Sequence, residues 1–197
     1  MEIKKQTKEN SDGTAKEKVR ERLKREREML SKEQVQQDSE KICMKLRGHI
    51  WFWHADTVCF YYPLGNEVNL LPLAQEALAC GMKVAFPRVH GEVMDFHLVS
   101  SLGDFAKGCF QVMEPTGGEM IQSEEPLVLV PGVGFDFYGN RMGYGKGYYD
   151  RYFSKHPSCR KVGIAYSQQL VESLPKCHYD VHMDGIVTEQ GYYKGRK

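Results

Sequence analysis

LVLVPGVGFDFYGNRMGYGKGYYDRYF, which spans residues 127–153, combines an apolar run, a glycine-rich segment and a helical end. The apolar run at residues 126–131 has no alternation, which is typical of a central parallel strand covered on both faces. Six glycines punctuate the loop over residues 132–147, and a helix is predicted from about residue 147 to 155. Ligands of open α/β sheets bind where such a loop leaves the strand, because the following helix directs its N-terminal amides outward. The stretch therefore predicts a ligand site at the carboxyl end of this strand.

The segments on either side alternate between short strands and helices. A strand–helix–strand unit over residues 57–86 predicts parallel strands joined by a right-handed crossover. Further strands are predicted at residues 93–99, 161–166 and 185–188, a short helix near residues 168–173, and connecting loop at residues 101–125. The predicted fold class is α/β, an open, mostly parallel, Rossmann-like sheet flanked by helices.

The first quarter of the chain is rich in Lys, Arg and Glu. Two capping boxes, Thr14–Glu17 and Ser31–Gln34, predict the starts of two helices, the second of which ends at Gly48. These helices form a charged N-terminal pair. Residues 1–13 have almost nothing apolar and are predicted to be a disordered tail, which leaves residues 14–197 as a single domain.

Composition excludes several classes of protein. The chain has 197 residues, of which 41% are hydrophobic and 27% charged, with a formal net charge of +1. These values are typical of a globular domain and argue against a general polyanion binder, so any phosphate chemistry has to be local. No apolar run is long enough to span a membrane, and the N-terminus has no apolar region for a signal peptide. Six cysteines stand singly, as expected in a reducing compartment. We expect a cytoplasmic protein that does not bind membranes or nucleic acid, and a monomer.

The glycine-rich loop has the composition of a phosphate-binding loop. Gly143, Gly145 and Gly147 let backbone N–H groups approach phosphate oxygens, and Arg141 and Lys146 add positive charge. The spacing matches neither a Walker A loop nor G-x-G-x-x-G. A purely structural alternative stays open, in which the loop only reverses the chain and its tyrosines pack against the sheet.

The string PGVGFDFYGNRMGYGKGYYDR, residues 131–151, resembles the signature of the 5-formyltetrahydrofolate cyclo-ligase family, also called 5,10-methenyltetrahydrofolate synthetases. The resemblance extends from about residue 15 to 189. It implies an enzyme that uses ATP and Mg²⁺ to convert 5-formyltetrahydrofolate into 5,10-methenyltetrahydrofolate, ADP and phosphate. In this family ATP phosphorylates the formyl oxygen, and N10 of the folate then attacks and expels phosphate. Such a reaction needs positioning and cations rather than a covalent enzyme nucleophile.

The resemblance also assigns the ATP site. Lys16 and Arg20, which are i and i+4 on the first helix, match family residues that reach the nucleotide. Arg20 and Lys146 are the expected catalytic residues, because both bring positive charge to the transferred phosphoryl group. The remaining ATP-binding positions are contributed by the loop, namely Arg141, Gly143, Tyr144, Gly145, Gly147, Tyr148 and Tyr149.

For magnesium the resemblance implies two carboxylates, Asp150 and Asp184, with Asp180 as an alternative to the second. For folate it implies Tyr62 and Glu67, which follow the first strand, together with Tyr148. Glu67 would accept hydrogen bonds from the pterin ring, and the tyrosines would flank that flat ring.

Two other functions remain as alternatives. A nucleotide- or phosphosugar-binding isomerase on the same kind of sheet would have no use for a carboxylate such as Glu67 facing a pterin. A nucleic-acid binder would use the basic residues between 16 and 27, but the interleaved glutamates weaken that field. Steeply salt-dependent retention of RNA or DNA would favour the second alternative.

Overall fold

The computed structural model describes residues 2–175 and 181–195, with side chains from residue 15 onward except at residue 110. Its helices are α1 (Glu2–Glu28), α2 (Lys32–Arg47), α3 (Ile50–Trp53), α4 (Leu71–Ala79) and α5 (Tyr148–Lys155). Within these residues no helix is long and apolar enough to cross a bilayer.

The strands are short and belong to three sheets. They are β1 (Thr57–Cys59), β2 (Lys83–His90), β3 (Val93–Val99), β4 (Phe105–Lys107), β5 (Met113–Pro115), β6 (Leu127–Pro131), β7 (Gly134–Asp136), β8 (Arg141–Met142), β9 (Arg160–Ile164), β10 (Leu170–Val171), β11 (Gly185–Val187) and β12 (Tyr192–Lys194). The main sheet has seven strands in the order β12-β11-β9-β6-β1-β2-β3. Its five inner strands are parallel, and the edge strands β3 and β12 are antiparallel.

This arrangement confirms the predicted fold class. Strand β6 lies in the middle of the sheet, between β9 and β1, and its residues 127–130 are all buried. Leu129 packs on the face covered by α2 and α4, and Val128 and Val130 pack on the face covered by α5. Successive side chains of a strand point to opposite faces, so a strand covered on both faces is apolar throughout.

Several predicted boundaries are wrong. The glycine-rich segment holds a hairpin of β7 and β8, and the connecting loop at residues 101–125 holds β4 and β5. A 3₁₀ turn at Ser167–Gln169 followed by β10 replaces the short helix predicted near residues 168–173, and β12 was not predicted. Each of these elements is only two or three residues long, which is too short to show a clear periodicity, and β10 also depends on pairing with the distant strand β7.

Helix α1 begins at Glu2 rather than at the capping box at Thr14. Ser31 is confirmed as the N-cap of α2, since it accepts a hydrogen bond from the backbone N–H of Gln34, and Gly48 follows the end of the helix. The side chain of Gln34 donates to Asp38 instead of completing the predicted capping box. The division into a tail of residues 1–13 and a domain of residues 14–197 stays a prediction.

The C-terminal half of α1 docks on the glycine-rich segment. Leu23 is 1% exposed and packs with Val133, Met142 and Leu174. Burial of one leucine contributes roughly 2 kcal/mol. This contact places the charged face of α1 over the carboxyl end of β6.

Candidate active site

The loop between β8 and α5 has an open backbone with two residues in the left-handed region. Gly145 has φ +88° and Gly147 has φ +69°, and Gly147 directly precedes α5. A side chain at either position would strain the backbone, so glycine is required by conformation as well as by access. The loop therefore presents peptide groups rather than side chains beside the start of a helix.

Arg20 joins α1 to this loop. Its Nε donates a hydrogen bond to the carbonyl of Gly143 at 3.0 Å, and its guanidinium is close to Gly145 and paired with Glu17. The side chain is 17% exposed. Lys16 lies one helical turn earlier and is half-buried. The structure thus brings Arg20 to the loop between β8 and α5, residues 143–147, which we call the nucleotide loop because the sequence predicts ATP binding there.

Arg141 lies beneath the loop and braces it. It donates to the carbonyl of Pro131 and to the carboxylate of Asp150, both at 3.2 Å, and its Cζ lies 5.2 Å from the ring centre of Tyr149. A Cβ at Gly143 would lie 2.7 Å from Arg141 Nη1, so a larger residue there would require the guanidinium to shift from its bonds to Pro131 and Asp150. The charge of Arg141 is largely used inside the protein.

The other loop side chains differ in exposure. Lys146 is exposed, whereas the hydroxyl of Tyr148 donates to the carbonyl of Gly91 at 2.9 Å. Arg151 donates to the carbonyls of Glu92 and Lys146 and lies over the ring of Tyr148. The start of α5 is thereby anchored to the turn between β2 and β3.

A buried carboxylate faces the same loop. Glu67 is 6% exposed; its Oε2 accepts from the N–H of Leu64 at 2.9 Å, and its Oε1 accepts from the hydroxyl of Tyr144 at 2.6 Å. Burial raises the pKa of the Glu67 carboxyl, and the charge of Arg27 and the hydrogen bond from Tyr144 counteract that rise. Tyr62, which follows the same strand β1, is half-buried with its ring 5.5 Å from that of Phe105. The predicted folate and nucleotide residues therefore meet at Tyr144 and Glu67.

Sequence analysis missed Arg27. Its side chain donates to Tyr144, to Glu67 and to the carbonyl of Gly132, and it is 3% exposed. Arg27 lies seven residues, or two helical turns, after Arg20 and so on the same helix face. The seven-residue spacing from Arg20 could have indicated Arg27, but α1 has many other charged residues at similar spacings.

The structure separates the two carboxylates predicted to bind magnesium. Asp184 immediately precedes β11 and accepts from the backbone N–H of Lys161 at 2.8 Å, at the amino end of the parallel strands. Asp150 pairs with Arg141, at the carboxyl end of β6. Lys161 is in register with Val128, three residues before Pro131, so the two sites are about 10 Å apart along the sheet.

One Mg²⁺, with ligands at about 2.1 Å, cannot bridge that separation. In this arrangement the structure does not bring Asp150 and Asp184 together, and a shared magnesium site stays a prediction. The alternative ligand, Asp180, lies outside the described residues. In residues 2–175 and 181–195 no group of three His, Cys, Asp or Glu side chains could hold a metal.

A separate cavity of about 270 Å³ opens near the amino end of the sheet. Its walls include Trp51, Asp56, Glu125 and Arg160. None of the predicted site residues lines it, so its position does not coincide with the glycine-rich loop.

Comparisons with known proteins cover nearly the same span as the sequence resemblance. A sequence model described as the 5-formyltetrahydrofolate cyclo-ligase family matches residues 12–189. A protein of Caenorhabditis elegans named a probable 5-formyltetrahydrofolate cyclo-ligase is 30% identical over 176 residues, which is 81% of this chain and 85% of that protein. The 5-formyltetrahydrofolate cyclo-ligase of Escherichia coli is 27% identical over 177 residues, which is 84% of this chain and 96% of that protein.

Solved structures agree with the sequence relatives. The NMR structure of Aquifex aeolicus 5,10-methenyltetrahydrofolate synthetase superposes with a TM-score of 0.83 at 37% identity, over 92% of this chain and 93% of that one. The 5,10-methenyltetrahydrofolate synthetase of Mycoplasma pneumoniae gives a TM-score of 0.72 at 26% identity, over 88% and 98%. The likeness therefore extends over most of the chain.

Proposed function

The chain belongs to the 5-formyltetrahydrofolate cyclo-ligase family, a family of ligase enzymes, and we propose that it uses ATP and Mg²⁺ to convert 5-formyltetrahydrofolate into 5,10-methenyltetrahydrofolate. The contact that carries this proposal is the hydrogen bond from Arg20 to the carbonyl of Gly143. It brings a cation to a glycine-rich loop that also touches the buried carboxylate of Glu67 through Tyr144.

The reaction has to activate an unreactive formamide. The formyl oxygen attacks the γ-phosphorus of ATP, the bond from that phosphorus to the β-bridging oxygen breaks, and ADP leaves. N10 then attacks the formyl carbon and loses its proton, and the carbon–oxygen bond breaks to release phosphate. Negative charge accumulates on the transferred phosphoryl oxygens, so the protein has to supply cations and peptide N–H donors there.

The nucleotide loop has these groups. The amides of residues 143–147 would hold phosphate oxygens, and Arg20, Lys146 and Lys16 would neutralise the triphosphate. Arg141 would act from below by keeping Asp150 and Tyr149 in place. This division of roles follows exposure, because Lys146 is open to solvent whereas Arg141 is 9% exposed.

The folate subsite would lie between the loop after β1 and the nucleotide loop. Glu67 would accept hydrogen bonds from pterin N–H groups, with Tyr62 and Tyr148 beside the ring. Glu67 Oε1 accepts a hydrogen bond from the hydroxyl of Tyr144. Pterin binding would exchange this internal donor for a substrate donor.

Asp150 fits a role in holding Mg²⁺. Its side chain is 25% exposed at the start of α5, beside the loop, and Mg²⁺ in nucleotide sites commonly uses one or two carboxylates together with phosphate oxygens. The ion supplies positive charge to the phosphate oxygens. Asp150 would orient it, and Arg141 would fix that carboxylate.

A direct assay tests the proposal. The protein is mixed with 5-formyltetrahydrofolate and MgATP, and the near-ultraviolet absorbance band of the methenyl product is followed while ADP is quantified. We expect product and ADP in equal amounts, and no product when ATP is omitted. Folded protein that forms no band, or forms it without ATP, contradicts the proposal. Lys18→Ala serves as a control on an exposed position of α1.

A further inference from the structure

Arg27 is a buried cation whose partners all belong to the proposed site. Its Nη2 donates to the hydroxyl of Tyr144 at 2.6 Å, and its Nη1 lies 3.5 Å from Glu67 Oε1 and 3.4 Å from the carbonyl of Gly132. Gly132 is the first residue after β6, where the glycine-rich segment begins. One guanidinium therefore contacts Glu67, the nucleotide loop and the end of strand β6.

Stability alone does not explain this arrangement. Side-chain exposure is 4% for Arg27 and 6% for Glu67, and buried ion pairs generally add little stability over well-packed apolar residues. The Nε of Arg27 is also buried without a hydrogen-bond partner. The orientation of the guanidinium thus satisfies Glu67 and Tyr144 at the expense of its own remaining donor.

We propose that Arg27 is a positioning residue of the folate subsite, which holds Glu67 in place as a carboxylate for the pterin and anchors Tyr144 beside it. This inference rests on the proposed function. Its basis is geometric: Arg27 and Tyr144 approach the same oxygen, Glu67 Oε1, and Leu64 fixes the other oxygen.

The charge state of Glu67 determines what it can bind. An ionised carboxylate accepts hydrogen bonds at both oxygens, whereas the protonated acid loses part of that capacity. The titratable groups around Glu67 come from α1, from the chain after β1, from the nucleotide loop with α5, and from the chain after β9; they are Arg27, Tyr61, Tyr144, Tyr149 and Tyr166. Arg27 is the cation of this group.

The pH dependence follows from these neighbours. Burial raises the pKa of Glu67, and Arg27 holds that rise in check. Folate binding should weaken as pH falls through this pKa. Without Arg27 the pKa rises further, so the weakening should begin at a higher pH.

The test compares Arg27→Gln, Arg27→Lys and a control, Arg22→Gln, whose side chain is 56% exposed on the same helix. KM for 5-formyltetrahydrofolate and KM for ATP are measured across the acid side of the pH profile, after circular dichroism and thermal melts establish folding. For Arg27→Gln we expect folate KM to rise about tenfold to a hundredfold, with the acid limb displaced to higher pH. ATP KM should rise much less, because Arg27 contacts the nucleotide loop only through Tyr144, and its partner Gly132 lies outside that loop. Arg22→Gln should match the parent.

Arg27→Lys separates charge from geometry and serves as the decisive variant if Arg27→Gln does not fold. It keeps the positive charge but not the planar fork, so its acid limb should stay near that of the parent while folate KM rises. Equal increases in both KM values, or an unmoved folate KM in the folded variants, overturns the positioning role. A parent protein with no ATP-dependent conversion overturns the proposed function and this inference together, which distinguishes that failure from a failure confined to the variants.

Discussion

The parallel strands of the main sheet have an amino end and a carboxyl end, which we call the amino edge and the carboxyl edge. The two use the same residue types in opposite ways. At the amino edge, the carboxylate of Asp184 accepts a hydrogen bond from the backbone N–H of Lys161 and lies 3.9 Å from the side-chain amine of that lysine. The amine also donates hydrogen bonds to the carbonyls of Pro157 and Cys159. At the carboxyl edge, Arg20 and Arg27 converge on the carbonyls of a glycine-rich segment and on Glu67. At the amino edge the charges are paired around regular strand ends. At the carboxyl edge the charges are also paired, but they lie beside glycine-rich backbone that a ligand can approach. This difference, rather than the residue types, supports the site that we propose.

The largest effect should come from removing the cation that touches the loop. Arg20→Ala is expected to lower turnover about a hundredfold to a thousandfold, because a preorganised donor to the transferred phosphoryl group is lost. Its melting temperature should fall by only a few degrees, since one hydrogen bond to Gly143 is lost. The measurement is steady-state kinetics with a thermal melt. Arg22→Ala is the matched control, and a variant that loses mainly stability would make Arg20 structural.

The next effect concerns the carboxylate at the carboxyl edge. Asp150→Asn should raise the Mg²⁺ concentration needed for half-maximal activity about tenfold, equivalent to about 1.4 kcal/mol. The amide oxygen can still accept from Arg141, so the fold should be retained. Activity is titrated with Mg²⁺ at fixed ATP. A titration identical to that of the parent would remove Asp150 from the metal site.

A smaller effect is expected from backbone strain in the loop. Gly145→Ala places a side chain at φ +88°, which costs about 1–2 kcal/mol, although its Cβ would lie 3.7 Å from Arg20 without a clash. Activity should fall several-fold through altered loop geometry, measured as kcat/KM for ATP. Gly117→Ala, where a Cβ meets nothing within 4 Å, is the control. Equal activity in both variants would show that the loop conformation is unimportant.

The smallest effect should occur at the amino edge. Asp184→Asn removes the ion pair with the Lys161 amine but keeps an acceptor for the backbone N–H of Lys161. The free energy of unfolding should therefore fall by about 0.5–1 kcal/mol, and the Mg²⁺ titration should not change. Thermal denaturation and the same titration measure both quantities. A Mg²⁺ requirement shifted as in Asp150→Asn would break the contrast between the edges.

Sequence patterns predicted what depends on local periodicity. The apolar run of β6 identified the central strand, and the glycines after it located the loop. Strand β12, by contrast, is only three residues long, which is too short for its alternation to stand out from the surrounding chain, and it is defined by antiparallel pairing with β11.

The glycine-rich loop was predictable from composition and strand pattern, whereas the site residues distant from it were predicted only from the family resemblance. The wider resemblance over residues 15–189 pointed to Arg20 and Glu67, but it could not place Asp184 at an edge, because that depends on where β11 begins relative to β9. Arg27 went unnoticed since burial, which distinguishes it from its charged neighbours, results from the docking of α1.

The docking of α1 has a consequence for synthesis. Arg20 and its partner Gly143 are 123 positions apart in the chain, and Leu23 packs against residues equally remote. A ribosome therefore releases the first helix long before the surface that covers it exists. Contacts of such high sequence separation form slowly, so we expect the nucleotide loop to be among the last parts of the nascent protein to acquire its shape.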